Sequence, residues 1–301
     1  MTWAELANKR LLGYLSWHLR RRREHLGGIL DALMDDLHAV GPDHVAVTGD
    51  LVNLALPDEF VEAAAWLRRL GPPEWISVVP GNHDALVPVP AADGWDHLRA
   101  YATSDPEAQD GGDFPFLRRR GPLAIIGLSS AYPSPPGWAT GRIGVDQLTR
   151  VARLLQDLNG DGRCRILLMH HSPVDGVSRP RRQLIDAAPL RRCIAEYGAD
   201  LVLHGHEHAF SCDQIAGIDG PLPVFGMPSA SKQSTNATQG AQYCVYGIEG
   251  DTQEWRIVAE RRVFAPASQS FVPSERHVVV RKSGTLALHV EPVVGACRES
   301  A

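Results

Sequence analysis

The chain has 301 residues, of which 44% are hydrophobic and 22% charged, and its formal net charge is −5. This composition is that of a globular protein with a substantial core, and it excludes a disordered or collagen-like chain. The small negative charge gives no global reason to expect nucleic acid or a membrane as partner, and no apolar stretch is long enough to span a bilayer.

Residues 1–39 read as a helical and basic segment. The run Arg20–Arg23 follows "RLLGYLSWHL", in which aromatic and aliphatic residues accompany cations. A solvated helix face is the ordinary interpretation of such a run. The alternative is that residues 10–23 contact an anionic membrane surface or attract an anionic substrate.

Residues 40–263 repeat a short apolar strand followed by an amphipathic helix, and they form the predicted main domain. Because the strands are continuous apolar runs, both faces of the sheet are expected to be covered. From about residue 213 the pattern changes to strands and turns. Residues 264–301 are predicted to be a C-terminal appendage with a weak pair of strands. The predicted strands and helices before residue 213 cover 44–50, 57–70, 74–84, 123–130, 144–158, 163–173, 186–197 and 199–208.

Polar side chains stand where four of these strands end. Ligand sites in α/β sheets lie at the carboxyl ends of the strands, so these side chains are expected to meet in one crevice. Carboxylate, amide and imidazole without thiolate suit manganese, iron or zinc. The residues concerned are Asp50, Asn82, His83, Asp84, His170, His171, His204, His206 and His208.

In combination, "GD", "GNHD", "HH" and "GHEH", each after a strand, resemble the calcineurin-like metallophosphoesterases, and among them the bacterial phosphodiesterase-like members. The resemblance covers roughly residues 40–260. It implies an α/β fold, a four-layer α/β/β/α sandwich of two mixed sheets. It also implies two divalent ions (manganese, iron or zinc), about 3.5–4 Å apart and sharing a hydroxide that attacks the phosphorus.

The resemblance also implies a role for each matching residue. Asp50 would bridge the two ions, and His208 would belong to the first. His83 would assist the leaving group, with Asp84 orienting it. His171 is the weaker candidate beside His170, and His204 is expected to pack within its strand. The ligands of the second ion would be completed by Asn82, His170 and His206.

The chain departs from the family pattern in one place. The family carries Asp-x-His at the end of its first strand, where it supplies two ligands of the first ion, and no such strand precedes "HVAVTGD". Asp36 and His38 match the letters, but Leu33, Leu37 and Val40 recur at helical spacing, so both are expected to face away from the core. We therefore expect either a chain that begins late or a true loss of these ligands.

The expected function is hydrolysis of a phosphodiester, monoester or pyrophosphate in a small-molecule or lipid-linked substrate. The alternative is a catalytically impaired metal-binding scaffold. The pattern identifies no substrate-binding residue and no oligomeric state. Five scattered cysteines without CxxC spacing are typical of reduced thiols in a cytoplasmic protein, which could also sit at the inner membrane surface.

Overall fold

The computed structural model describes residues 27–108, 113–232, 240–282 and 284–292. Residues 10–23, the candidate membrane contact, lie outside the described residues. Within the described part, no helix is both long enough and apolar enough to cross a bilayer. Its helices are α1 (Gly27–Val40), α2 (Pro57–Leu70), α3 (Val145–Asp157) and α4 (Ala187–Tyr197). Its strands are β1 (Val45–Val47), β2 (Ile76–Val78), β3 (Phe116–Arg120), β4 (Leu123–Gly127), β5 (Cys164–Leu168), β6 (Leu201–His204), β7 (Ser211–Gly217), β8 (Gly220–Gly226), β9 (Gln242–Gly250), β10 (Glu254–Ala265), β11 (Ser270–Lys282) and β12 (Thr285–Pro292).

The largest sheet has six strands in the order β3-β4-β5-β6-β8-β7. The strands β4, β5, β6 and β8 run parallel, and β3 and β7 are antiparallel edges. Helices α3 and α4 cover one face of this sheet through a cluster of fully buried side chains. Members of that cluster include Ile126, Val151, Leu155, Leu167, Leu190, Ile194 and Val202.

The second half of the fold holds a parallel pair, β1-β2, and an antiparallel sheet in the order β12-β11-β10-β9. Trp255, Ile257 and Val279 of the antiparallel sheet share a buried cluster with Ile166 and Phe225 of the six-stranded sheet. A third cluster joins the outer side of this half to α1 and α2, and includes Leu33, Leu37, Phe60, Leu67, Ile76, Val78 and Phe271. The layers are therefore helix, sheet, sheet and helix, and the α/β sandwich predicted from the sequence is confirmed.

A proline and two carboxylates stabilise the starts of the helices. Helix α2 starts at Pro57, whose missing N–H is no loss in a first turn. The Glu59 carboxylate accepts hydrogen bonds from the backbone amides of Leu54 and Leu56 at 2.9 and 3.0 Å. Asp186, directly before α4, likewise accepts the amides of Ile143 and Gly144 that lead into α3. These two carboxylates, Glu59 in the first turn of α2 and Asp186 before α4, thus accept hydrogen bonds from backbone amides that lead into a helix.

The segments before and after the predicted main domain, residues 40–263, also contribute to the sandwich. Helix α1 contributes Leu33 and Leu37 to the core, although it lies in the segment assigned to residues 1–39. Strand β10 crosses residue 264, and β11 buries Phe271 and Val279. Residues 264–292 therefore contribute strands to the antiparallel sheet as far as they are described. Their apolar pattern is weak because only part of each strand faces the core.

A cavity of about 1650 Å³ lies between the two halves. Among the described residues, strand β1 pairs with β2 alone and β9 is an edge of its sheet, and both strands contribute to the walls of the cavity. Asp50, His83, His170 and His206 line the same cavity. The carboxyl ends of the strands therefore open onto a space large enough for a substrate.

Candidate metal centre

Four of the side chains predicted to meet lie where strands of the parallel pair and of the six-stranded sheet end. Asp50 follows β1 and Asn82 follows β2, while His170 follows β5 and His206 follows β6. The side chains of Asn82, His170 and His206 are each almost fully buried. The Asp50 side chain keeps 21% of its surface exposed and faces the cavity.

Two glycines let the first two loops approach closely. Gly49 has a φ of +97°, and a Cβ there would lie 2.5 Å from the backbone nitrogen of Gly81. A Cβ on Gly81 would lie 2.1 Å from the Asp50 carboxylate oxygen Oδ1. The backbone amide of His83 donates to that same oxygen at 2.9 Å. Glycine is thus required for steric reasons where the two motifs pack together.

His170 is the centre of the cluster. Its Nδ1 lies 2.6 Å from the carbonyl oxygen of Thr48, which can only accept, so Nδ1 carries the proton and Nε2 the lone pair. Around that Nε2 lie Asn82 Oδ1 at 3.2 Å, His206 Nδ1 at 3.2 Å and Asp50 Oδ2 at 3.4 Å. A carbonyl that fixes the tautomer and ring orientation is the usual support of a metal-binding histidine.

The electrostatics of these groups suit a cation. Burial would raise the pKa of Asp50, but the neighbouring His170 and His83 outweigh it and lower that pKa to about 2. Burial, with the nearby His171 and His170, lowers the pKa of His206 far below its usual value. The site therefore presents an ionised carboxylate and a neutral His206 ring, which together with the His170 ring and the Asn82 amide oxygen fit a borderline or hard divalent metal.

His171 belongs to the same histidine cluster, in which one nitrogen from each of His170, His171 and His206 lies within 4.8 Å of the others. Its Nδ1 lies 2.8 Å from the Ser130 hydroxyl, and its Nε2 lies 3.2 Å from the Ala139 carbonyl. Burial, above all, lowers the pKa of His171 to about 3, so the ring is neutral. Both nitrogens have partners within the protein, which favours a packing role over ligation.

His83 and Asp84, the predicted catalytic residues, have separate hydrogen-bond partners. Asp84 accepts hydrogen bonds from the backbone amides of Asp50, Val52 and Gly81 at 2.8, 3.0 and 2.7 Å. Burial, and then the Asp50 charge, raise the pKa of Asp84 to about 7. His83 Nδ1 instead lies 2.7 Å from the Asn53 carbonyl. A backbone carbonyl therefore helps to orient His83, and Asp84 ties the two loops together; the orientation of His83 by Asp84 stays a prediction.

The other histidines named in the sequence analysis, and Asp36, lie outside the group around His170, and they differ in how exposed they are. His208 is exposed, has a φ of +55° and lines the cavity outside the buried cluster. His204 is fully buried in β6, with Nδ1 2.9 Å from the Gly205 carbonyl. Asp36 pairs with Arg262, and His38 Nε2 contacts the Leu70 carbonyl, so neither lies at the centre.

Arg182 also lies at the site, although none of the sequence motifs contains it. Its guanidinium donates to the carbonyl oxygen of His206, and its Nε lies 3.4 Å from His206 Nε2. It lines the cavity as well. The structure brings this cation beside a candidate ligand.

The comparisons with known proteins agree with this geometry. The family model described as calcineurin-like phosphoesterase matches residues 18–210. No curated protein sequence matches the chain. A dimetal phosphatase from Danio rerio superposes with a TM-score of 0.54 at 11% identity, covering 88% of this chain and 90% of that one.

Two structures of Vps29 from Entamoeba histolytica also match, one of a single mutant and one of a double mutant. They share 12% and 13% identity over 82% of this chain and 98% of theirs. Their TM-scores of 0.29 and 0.26 are too low to carry an argument about the fold. The family model alone covers well over half of the 301 residues. The chain therefore belongs to the calcineurin-like phosphoesterase family.

Proposed function

We propose that this protein is a metal-dependent phosphodiesterase. One observation carries the proposal: Asn82 Oδ1, His206 Nδ1 and Asp50 Oδ2 all lie within 3.4 Å of the His170 Nε2 lone pair. This convergence of one carboxylate, one amide and two imidazoles at a cavity is a donor set that suits a divalent cation.

Asp50, Asn82, His170 and His206 would hold divalent metal, with His208 as the candidate ligand of a first ion. Manganese, iron or zinc each suit these donors. When bound, such ions lower the pKa of water and neutralise charge on the phosphoryl group. The Asp50 carboxylate, which two imidazoles keep ionised, is the group suited to lie between two ions.

His83 is the group proposed to protonate the leaving oxygen. Its Nδ1–H donates to the Asn53 carbonyl, which fixes the ring and makes Nε2 the atom through which a proton would pass. The ring is half-buried at the cavity. Imidazole titrates near neutral pH, where a general acid works best. Arg182 adds a positive charge that would hold an anionic phosphoester next to His206.

A diester is proposed over a monoester on the resemblance to phosphodiesterase-like members. The substrate is proposed to be a small-molecule or lipid-linked phosphoester. A cytoplasmic location belongs to the same proposal and is supported by the free thiols of Cys164, Cys193, Cys212 and Cys244.

The test is hydrolysis of bis(p-nitrophenyl) phosphate with added manganese, with and without chelator. Wild-type protein and Asn159→Ala, a change at an exposed turn, should be active only with metal. Asn82→Ala should lose most of this activity because a ligand oxygen is removed. A folded protein that retains metal but hydrolyses neither diester nor monoester would overturn the proposal and favour the metal-binding scaffold.

A further inference from the structure

Two loop segments, residues 138–145 and 179–185, lie side by side next to the histidine cluster. The amide of Gly141 donates to the Gln183 carbonyl at 3.0 Å, and the amide of Ile185 donates to the Gly141 carbonyl at 2.9 Å. These hydrogen bonds join the two segments into one surface element.

The inner side of this element packs on His171. A Cβ on Gly141 would lie 2.4 Å from His171 Nδ1, and the Ala139 carbonyl lies 3.2 Å from His171 Nε2. Gly141 and Leu184 form a parallel bridge between the segments, and both are buried. Because side chains alternate along extended segments, the residues that follow this bridge face outwards. Ile185, directly after Leu184, is accordingly 51% exposed.

The two segments carry exposed apolar side chains. Trp138, Val145 and Ile185 are large apolar residues with exposed fractions of 40, 74 and 51%. The described residues include eight exposed side chains of this kind, so more than a third of them lie on these two short segments. Single exposed apolar residues are ordinary, but a concentration of them indicates an interaction surface.

Three exposed arginines, Arg142, Arg179 and Arg181, accompany these apolar residues. Among the described residues, none of the three forms an ion pair with a carboxylate, and Arg181 lies 5.8 Å from the centroid of the Trp138 ring. Within 138–146 and 179–185, all of which the structure describes, Asp146 is the exposed carboxylate. Together six side chains form an outer stripe, which consists of Trp138, Arg142, Val145, Arg179, Arg181 and Ile185.

Exposed apolar residues also lie on β11 and β12, but the cations of β11 are neutralised within the protein. Arg276 pairs with Glu260 at 2.6 Å, and Lys282 pairs with Glu254 at 2.7 Å. The outer stripe instead combines apolar side chains with positive charges that have no carboxylate partner, and this combination favours an anionic partner with an apolar interior.

The order of the side chains fits a lipid bilayer. Arginines alternate with apolar residues along the stripe, whereas a protein interface collects its apolar residues in a core and its charges at a rim. Nucleic acid would neutralise the arginines but leave the aliphatic side chains in water. A tryptophan ring prefers the depth of the lipid head groups, and neighbouring arginines attract anionic head groups. The stripe therefore has the composition of a peripheral membrane contact.

We propose that the outer stripe docks the protein on an anionic lipid bilayer. Because the inner side of the same element packs on His171, docking would place the candidate centre next to the membrane surface. The stripe is distinct from residues 10–23, and its binding does not depend on the proposed phosphodiesterase function.

The test is sedimentation of the full chain with sucrose-loaded vesicles of phosphatidylcholine, with or without phosphatidylglycerol. The wild type should bind the anionic vesicles, and binding should fall without phosphatidylglycerol or at high salt, because salt screens the attraction of the arginines. Arg142→Gln should weaken binding about fivefold. Trp138→Ala and Ile185→Ser should weaken it about tenfold and about fivefold, because apolar surface returns to water.

Two matched controls carry similar changes away from the stripe. Ile218→Ser alters an exposed apolar residue in the β7–β8 turn, and Arg256→Gln alters an exposed arginine of β10. Both should bind vesicles as the wild type does. The proposal is overturned if the wild type does not bind anionic vesicles, or if Trp138→Ala and Ile185→Ser bind them equally well.

Quenching by brominated lipid separates insertion from electrostatic adhesion. Trp138→Phe should retain most vesicle binding but lose the share of the quenching that Trp138 contributes, and unchanged quenching would show that the ring does not enter the bilayer. Light scattering tests a second copy of the chain as the partner. A lower molar mass for Trp138→Ala than for the wild type, with equal vesicle binding, would overturn the membrane proposal and assign the stripe to contact between copies.

Discussion

Replacing Gly81 by alanine should disable the centre by displacing Asp50. The added Cβ would lie 2.1 Å from Asp50 Oδ1 and 2.5 Å from the Asp50 backbone nitrogen. Ordinary contacts of carbon are about 3.5 Å, so the carboxylate and its backbone must retreat by roughly 1 Å or more. A misplacement of about 1 Å can cost about 100-fold in rate, and overpacking destabilises by about 1–3 kcal/mol.

The assay measures manganese-dependent hydrolysis of bis(p-nitrophenyl) phosphate, metal content by mass spectrometry and urea unfolding on the same preparation. We expect Gly81→Ala to lose about 100-fold or more in kcat/KM, together with bound metal. Gly28→Ala is the matched control, because a Cβ there meets nothing within 4 Å and alanine stabilises a helix by about 0.5–1 kcal/mol. Wild-type turnover and metal content in Gly81→Ala would refute the packing of these loops around Asp50.

Three further changes test other parts of the structure. Asp50→Ala should remove both bound metal and turnover, and retained hydrolysis would exclude Asp50 from the centre. His83→Ala should lower kcat by about 10²–10⁴-fold, the usual share of a general acid, with metal content unchanged; loss of metal would make His83 a ligand instead. Burial, with the charges of Arg120 and Arg118, lowers the pKa of His44 to about 3. The unfolded chain therefore binds the proton first as pH falls from about 6.5 towards 3, and stability is lost across that window. Since His44 is partly exposed, the loss by pH 5 should be about 1–2 kcal/mol. Urea unfolding of His44→Gln at pH 7.5 and pH 5 should show a smaller loss than the wild type, and equal losses would refute the depressed pKa.

Strand-end motifs predicted which residues meet at the centre, but not all of the contacts that those residues make. Asp50, Asn82, His170 and His206 each follow an apolar strand, and a residue at such a place is brought to the crevice by the sheet itself. Asp84 also stands in its motif, but its partners are backbone amides. Residue letters do not reveal such partners, because amides are present at every position of the chain except proline.

For the same reason, the sequence did not predict the groups that hold the histidine rings in place. The Thr48 carbonyl that sets the tautomer of His170 lies 122 residues away in the chain. Every residue type has a backbone carbonyl, so the identity of residue 48 does not reveal this contact. Ser130 occupies Nδ1 of His171 from another loop. Position after the strand does not distinguish His170 from its neighbour His171, since both follow the same strand; the resemblance favoured His170, and the folded arrangement shows the contacts of each ring.

The sequence by itself determined the α/β class, the main strands and helices through residue 208, and the four loops that carry the centre. Those features follow from local apolar periodicity and from strand ends, which depend on neighbouring residues. The tertiary structure decided the inclusion of β11 and β12 in the sandwich and the placement of Arg182 beside His206. These depend on which distant segments pack together, because burial and charge contacts are made across space and leave no period in the chain.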